Sequence, residues 1–347
     1  MKAAVLFNIG KPLEICELTL PELLEGQILV KLAYSGVCHS QLMEVSGGRG
    51  EDKYLPHLLG HEGSGVVVSI GPSVKKLRVG DPVILGWIKG TGIDAIGAKY
   101  KYKDLIINSG GVTTFSEYSV VSENRCTLLP KGLPLDIAVL FGCAIPTGSG
   151  IIKNALNPAP NSTIAIFGLG GIGLSALILC KLYNPSSLIA IDIEKSKLEM
   201  AKKLGATNLI NASVEDPIKA IMNITDGKGV DYAMEAAGLS STIEQAFDSV
   251  RRKGGLLVFA SHPKQGDKIK IDPFELINGK NIRGSWGGES NPDIDIPYYA
   301  NLYTEGKLPL DLLITKKYKL NEINEALFDL KNHKVHRPIL EIDSSLN

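Results

Sequence analysis

Ile164-Ala165-Ile166-Phe167-Gly168-Leu169-Gly170-Gly171-Ile172-Gly173 sets the architecture of the second half of the chain. Four apolar residues of strand character run into G-x-G-x-x-G, and an apolar helical stretch follows to Leu182, the context in which that pattern marks a dinucleotide turn. The three glycines, Gly168, Gly170 and Gly173, have separate duties there. One allows a tight turn, one lets backbone approach a pyrophosphate, and one lets helix and strand pack closely, while the helix N-terminus offers free N–H groups to phosphate.

Asp192 ends the next expected strand, about 24 positions after Gly168, near where an acid accepts hydrogen bonds from the adenosine ribose. A carboxylate there favours NAD, since a 2′-phosphate would meet it as a like charge, with Lys195 and Lys197 softening the repulsion. Around this unit, from Pro146 onward, strands and helices alternate: strands at 188–191, 208–210, 230–234, 256–260 and 281–285, helices at 195–204, 214–222 and 241–250. Such alternation reads as a doubly wound parallel sheet covered on both faces, an α/β domain spanning 145–285.

Before it, residues 1–144 show short β-branched runs cut by Gly and Pro, at 28–32, 65–70, 82–85 and 115–121, which suggest a twisted β-rich domain. After it, Ile323, Ala326, Leu327 and Leu330 recur at helical spacing and 337–342 reads as a last strand. This tail, 286–347, is expected to return to the first domain and make it discontinuous.

Composition narrows the function classes. The 347 residues carry 37 basic and 37 acidic side chains, so no global field draws the chain to nucleic acid or an anionic membrane. No apolar stretch approaches the roughly 20 residues of a spanning helix, and the N-terminus lacks the pattern of a secretion signal. Without one, Asn161-Ser162-Thr163, Asn211-Ala212-Ser213 and Asn223-Ile224-Thr225 are chance matches to the glycosylation pattern. Five scattered cysteines, an odd number without a paired framework, point to a reducing cytoplasm. Cys16, Cys126 and Cys180 read as small buried hydrophobes.

Cys38, His61 and Cys143 are different. Each stands beside glycines or at the expected boundary between domains, where a cleft is anticipated. Two thiolates and an imidazole are donors that Zn²⁺ prefers, and three protein ligands leave a fourth position open. Taken singly, each also has a plain structural reading, as a buried thiol or a hydrogen-bonded core imidazole.

Five motifs in order, Gly36-Val37-Cys38-His39-Ser40, Gly60-His61-Glu62-Gly63-Ser64-Gly65, Gly142-Cys143, Thr147-Gly148 and the glycine fingerprint, resemble the zinc-dependent alcohol dehydrogenases of the medium-chain dehydrogenase/reductase superfamily. The resemblance spans nearly the whole chain. It implies a GroES-like catalytic domain (1–144 with 286–347) and a Rossmann NAD-binding domain (145–285). It also implies Cys38, His61 and Cys143 as ligands of one catalytic zinc, with Glu62 just behind the metal. The ion would act as a Lewis acid that makes hydride transfer between an alcohol and NAD feasible, giving an aldehyde or ketone. By the same resemblance Ser40 begins a proton relay, Trp87 narrows the substrate pocket, Thr147 packs behind the nicotinamide, and His39 and Arg337 reach the pyrophosphate.

The family pattern fails in two places. Many relatives have an aspartate where Gln41 stands and some a relay histidine where Met43 stands; Gln41 can accept a hydrogen bond from His61 only without charge, and Met43 carries no proton. The stretch 89–111 holds no cysteine, so the four-cysteine structural zinc of many relatives is not expected, and a subunit contact, a substrate-side loop or, before these, a solvated loop is expected in its place. The reading is an NAD-dependent, zinc-containing alcohol dehydrogenase with a small-molecule substrate, forming a homodimer or homotetramer. Its rivals are a zinc-free NADPH-dependent reductase of the same superfamily and a non-catalytic relative that only holds a dinucleotide.

Overall fold

The structure, a computed structural model, describes residues 1–346. One unit comprises residues 1–143 together with the segment from Asn291 onward, the other Ala144–Ser290. The sequence reading puts the junctions at 144/145 and 285/286.

In Ala144–Ser290 the alternation becomes a six-stranded parallel sheet of Thr163–Phe167, Ser187–Asp192, Asn208–Asn211, Tyr232–Glu235, Leu256–Phe259 and Asn281–Gly284. The spatial order is third, second, first, fourth, fifth, sixth. It reverses between Thr163–Phe167 and Tyr232–Glu235, and open sheets of this kind bind ligands beyond the carboxyl ends of the strands at that reversal. Ile164 to Phe167 and Leu188 to Ile191 are all buried, as strands covered on both faces require. Phe167, Ile189, Ile221, Phe247 and Leu257 share one core cluster.

Local chemistry corrects some element boundaries. Helix Pro217–Ile224 begins three residues later than the apolar pattern suggests. Asp216 caps it by accepting the Ile218 and Lys219 backbone N–H groups (2.9 and 3.2 Å), and Pro217 fits the first helical position. A further helix, Pro273–Ile277, starts the same way on Asp272. Helix Ala144–Gly150 continues as a π-helical stretch, Ile151–Leu156; Pro146, Gly148 and Gly150 hide it in a run that reads as turn.

The other unit is built on two sheets. The larger has seven strands, ordered Cys126–Leu128, Pro82–Leu85, Gly63–Ile70, Gln27–Gly36, Pro338–Glu341 and Lys316–Lys319, with Tyr118–Ser122 also paired to Gln27–Gly36. Pro338–Glu341 runs antiparallel to Gln27–Gly36 at Tyr34–Gly36, so the tail closes onto the N-terminal strands. Helix Ile323–Lys331 buries Ile323, Ala326, Leu327 and Leu330, the four residues whose spacing announced it.

The smaller sheet, ordered Glu14–Glu17, Lys2–Leu6, His57–Leu58, Leu105–Asn108 and Lys99–Tyr102, overturns the expected solvated loop. Lys99–Tyr102 and Leu105–Asn108 form an antiparallel hairpin that joins His57–Leu58. Tyr100 and Ile107 point inward with 0% exposure while Lys99 and Lys101 stay outside, the period-two pattern of a half-buried strand.

The residues leading into the hairpin are pinned by Glu123, which is 2% exposed. Its carboxylate accepts backbone N–H groups from Lys75 and Lys76 (both 2.7 Å) and Ile93 (2.8 Å). Among the described residues no single helix is long and apolar enough to cross a membrane.

Candidate metal centre and dinucleotide site

Strand Gln27–Gly36 delivers Cys38, which is the N-cap of helix His39–Ser46. His61 follows strand His57–Leu58, and Cys143 follows the short 3-10 turn Val139–Gly142. A backbone bond from Gly36 N–H to Glu62 O (3.1 Å) ties the first two ends, and one from Trp87 N–H to Gly142 O (3.3 Å) holds the third beside strand Pro82–Leu85. One ligand atom from each of Cys38, His61 and Cys143 lies within 4.8 Å of the others. Donors on a tetrahedral zinc stand about 3.3 to 3.8 Å apart, so small side-chain adjustments bring this set onto an ion.

The electrostatics favour a cation. A hydrogen bond from the Cys143 thiol, reinforced by His61 and Arg337, outweighs burial and holds Cys38 well below the usual thiol value. Cys143 is pushed up by that same bond and by burial, the behaviour of two thiols sharing one negative charge. Burial opposes a charge on His61, but Cys38 beside it outweighs burial and raises the imidazole. His61 Nε2 is buried without a hydrogen-bond partner. Two thiols that share one negative charge and a buried imidazole nitrogen are a donor set that fits zinc.

Glu62 lies behind these residues with 0% exposure, and Arg337 Nη2 donates to its Oε2. Burial pushes the Glu62 carboxyl up to about 7 against the pull of Arg337. Arg337, expected at a pyrophosphate, is buried in this structure with Glu62 as a partner. The guanidinium compensates the buried carboxylate, and an unpaired buried charge is costly. Ser40 Oγ lies 3.4 Å from His61 Nδ1, and His39 is an exposed first residue of its helix. Trp87 is half-buried against the core cluster that contains Leu85 and Cys126.

In the other unit Gly168 has φ +87°, and a Cβ there would meet Ala237 N at 2.6 Å. A Cβ on Gly173 would run into the Gly168 carbonyl oxygen, so helix Gly171–Cys180 approaches the strand as closely as only glycine permits. Gly170 opens that helix as its N-cap. Asp192 Oδ2 accepts the Leu169 N–H (2.7 Å) and Oδ1 the Glu194 N–H (3.0 Å), while Lys197 Nζ stands 3.6 Å from Oδ2. Asp192 thus fixes the glycine turn as well as ending its strand. Thr147 Oγ1 is buried without a hydrogen-bond partner.

Sequence reasoning missed Glu235. This buried carboxylate ends strand Tyr232–Glu235 and accepts the Ala237 and Gly238 N–H groups (both 2.9 Å), the Thr242 hydroxyl (2.7 Å) and the Ser261 hydroxyl. The signal was an acid closing an apolar strand just before Ala236-Ala237-Gly238.

Residues 24–131 match the model of the alcohol dehydrogenase GroES-like domain, and residues 171–302 that of the zinc-binding dehydrogenase domain. The S-(hydroxymethyl)glutathione dehydrogenase of Synechocystis is 31% identical over 95% of this chain and 96% of its own length. The chain belongs to the zinc-dependent alcohol dehydrogenase family. Alcohol dehydrogenase 1 of Trifolium repens is also 31% identical, over 94% of this chain and 92% of its own. The solved structure of benzyl alcohol dehydrogenase from Acinetobacter calcoaceticus superposes with a TM-score of 0.90 at 33% identity, covering 98% of this chain and 99% of that one. As a family member the chain is an oxidoreductase acting on CH–OH groups, with a GroES-like catalytic domain and a Rossmann-like coenzyme domain.

Proposed function

We propose that the protein is an NAD-dependent alcohol dehydrogenase holding one zinc ion on Cys38, His61 and Cys143. The observation that carries the reading is the convergence of two thiols and an unpartnered, buried imidazole nitrogen within 4.8 Å. When bound, zinc supplies a Lewis acid for an alcohol or carbonyl oxygen and the nicotinamide supplies the hydride acceptor.

The chain's own residues do the rest. Ser40 Oγ, able to donate and accept at once, takes the proton of the substrate hydroxyl and passes it on. Met43 carries no proton, so the relay ends on a ribose hydroxyl, water or another group. Gly168, Gly170 and Gly173 admit the pyrophosphate, Asp192 with Lys197 receives the ribose, and Thr147 lies beneath the nicotinamide. The Asp192 carboxylate favours NAD over NADP by charge alone. Trp87 bounds the substrate pocket. Glu62 neutralises Arg337 behind the ligands.

The substrate is an alcohol oxidised to an aldehyde or ketone. Benzyl alcohol and S-(hydroxymethyl)glutathione, named for the two relatives above, head the panel to be assayed. A second copy of the chain is the proposed macromolecular partner: edge strand Asn281–Gly284 carries unpaired backbone groups, with Phe274 and Ile277 exposed nearby. The five cysteines are free thiols, consistent with a cytoplasmic setting.

Zinc is counted per chain in protein purified without added metal, alongside NAD-coupled turnover on the panel. About one equivalent, lost together with activity in Cys143→Ala, is the expected result. Folded protein that binds dinucleotide but takes up no zinc refutes the proposal.

A further inference from the structure

We infer that Glu235 is a positioning residue for the nicotinamide half of the coenzyme, because its buried carboxylate fastens to each other the two turns that follow the fourth and fifth strands of the parallel sheet. The inference rests on the reading of Gly168, Gly170, Gly173 and Asp192 as a dinucleotide site.

Glu235 ends strand Tyr232–Glu235, and its register partners are Phe167 on one side and Phe259 on the other. Phe167 leads directly into the glycine turn, and the strand order reverses between it and Glu235. The residue therefore stands at the point of the sheet where a ligand is received. Asp192 closes the strand on the opposite side of Thr163–Phe167. With the adenosine ribose on Asp192 and the pyrophosphate over the glycines, the remaining half of the dinucleotide falls on the side of Glu235. The turns that begin at Ala236 and Ala260 are the walls on that side.

Glu235 shapes both. Its Oε1 accepts the Ala237 and Gly238 N–H groups (both 2.9 Å) and the Thr242 hydroxyl (2.7 Å), which folds the first turn around the carboxylate. Its Oε2 accepts the hydroxyl of Ser261, in the second turn. A carboxylate has about four acceptor sites, and these four donors occupy them. The first turn is also pressed against the glycine loop: Ala236 N–H donates to Phe167 O (2.8 Å), and a Cβ on Gly168 would come within 2.6 Å of Ala237 N. Glu235 itself has 0% exposure, so it supports the wall from behind, whereas Ala237 is exposed and Ser261 half-buried.

Of the four bonds, the one from Ser261 is the link between the turns, and it can be removed alone. Without it Oε2 is a buried acceptor short of its partner, and the carboxylate turns toward water and takes the 236–238 backbone with it. The arrangement that binds dinucleotide is then less populated, and apparent affinity falls by the fraction lost.

The test is Ser261→Ala. NADH affinity is read by fluorescence titration and AMP affinity by calorimetry, since AMP occupies the adenosine half alone. NADH is expected to bind about tenfold less tightly, the scale of one lost hydrogen bond to a carboxylate, with AMP binding unchanged. A role in the stability of the unit alone would weaken both ligands alike or neither. Ser261→Thr keeps the hydroxyl, and in Glu235→Gln the amide oxygen keeps its three donors while the amino group donates to Ser261 Oγ, so both variants are expected to bind NADH near the wild-type level. Unchanged NADH affinity in Ser261→Ala, equal losses of NADH and AMP, or a Glu235→Gln variant as weak as Ser261→Ala each overturns the inference. If Glu235→Gln does not fold, Ser261→Thr carries the rescue, and a Thr variant as weak as the Ala variant overturns it. Wild-type protein that binds neither NADH nor AMP overturns the dinucleotide reading itself. Wild-type protein that binds both, with Ser261→Ala matching it, overturns only the role of Glu235.

Discussion

Removing Glu123 should cost the hairpin-bearing unit much stability through one polar side chain outside the metal centre. Its carboxylate holds three backbone N–H groups from two separate segments, 75–76 and 93. Hydrogen bonds to a charged acceptor contribute about 1.5 to 3 kcal/mol each. In Glu123→Gln the remaining oxygen keeps Lys75 and Lys76, while the new amino group meets the Ile93 N–H donor to donor, a loss of about 2 kcal/mol. Glu123→Ala releases all three, but groups at the surface regain water, so about 4 kcal/mol is expected rather than the full sum. For a unit of about 200 residues the unfolding entropy near Tm is about 0.4 kcal/mol/K, which converts these losses to roughly 5 and 10 °C.

The pH dependence has a definite sign. Burial pushes the Glu123 carboxyl up, but the three N–H bonds and Lys76 outweigh it and hold the group below its ordinary value. Its contribution is therefore present above the unfolded value near 4.5 and is lost as pH falls through the depressed folded value. Urea melts of wild type and both variants from pH 7 to pH 3, with limited proteolysis of residues 89–98, measure all of this. A Glu123→Ala variant within about 1 kcal/mol of wild type, or an equally protected loop, refutes the clamp.

Two further outcomes follow from the same geometry. Arg337→Met removes the cation that opposes burial at Glu62, so the carboxyl, about 7 in the wild type, rises further and the loss of stability in calorimetry should grow from pH 7 to pH 9, with Glu62→Gln in the same chain abolishing that growth; a loss that does not grow with pH in the single variant, or one that still grows in the double, contradicts the pairing. Gly173→Ala drives a Cβ into the Gly168 carbonyl oxygen and should weaken NADH binding in fluorescence titration by at least about tenfold while zinc content stays at the wild-type level; unchanged affinity would show that helix and strand have room to spare.

What could be read from the chain, and what could not, divides by the range of the interaction. The glycine turn was legible because its requirements lie within six consecutive residues, and helix Ile323–Lys331 because its buried side recurs every three or four positions. The Cys38, His61 and Cys143 cluster was legible as one site only through a resemblance, since Cys38 and Cys143 meet across more than a hundred residues. The hairpin at 99–108 escaped because Lys-Tyr-Lys-Tyr looks polar until Tyr100 is seen facing inward. Arg337 and Glu62 escaped for a related reason: nothing near either in the chain signals that the arginine's nearest anion is a buried carboxylate. The Gln41 amide was judged able to accept from His61, and the structure shows its oxygen already taken by Cys38, a competition that only coordinates reveal.

Strand Pro338–Glu341 sits between Gln27–Gly36 and Lys316–Lys319, and its arrival during synthesis has a consequence for timing. The Ala144–Ser290 sheet is contiguous and can assemble while the ribosome is still working. The other sheet waits. Until residues 338–341 emerge, the Tyr34–Gly36 edge just ahead of Cys38 is bare, and Arg337 has not yet reached Glu62. A nascent chain therefore carries a finished coenzyme half and an open metal half until residues 338–341 emerge, and a product that stops before them keeps the first and lacks the second.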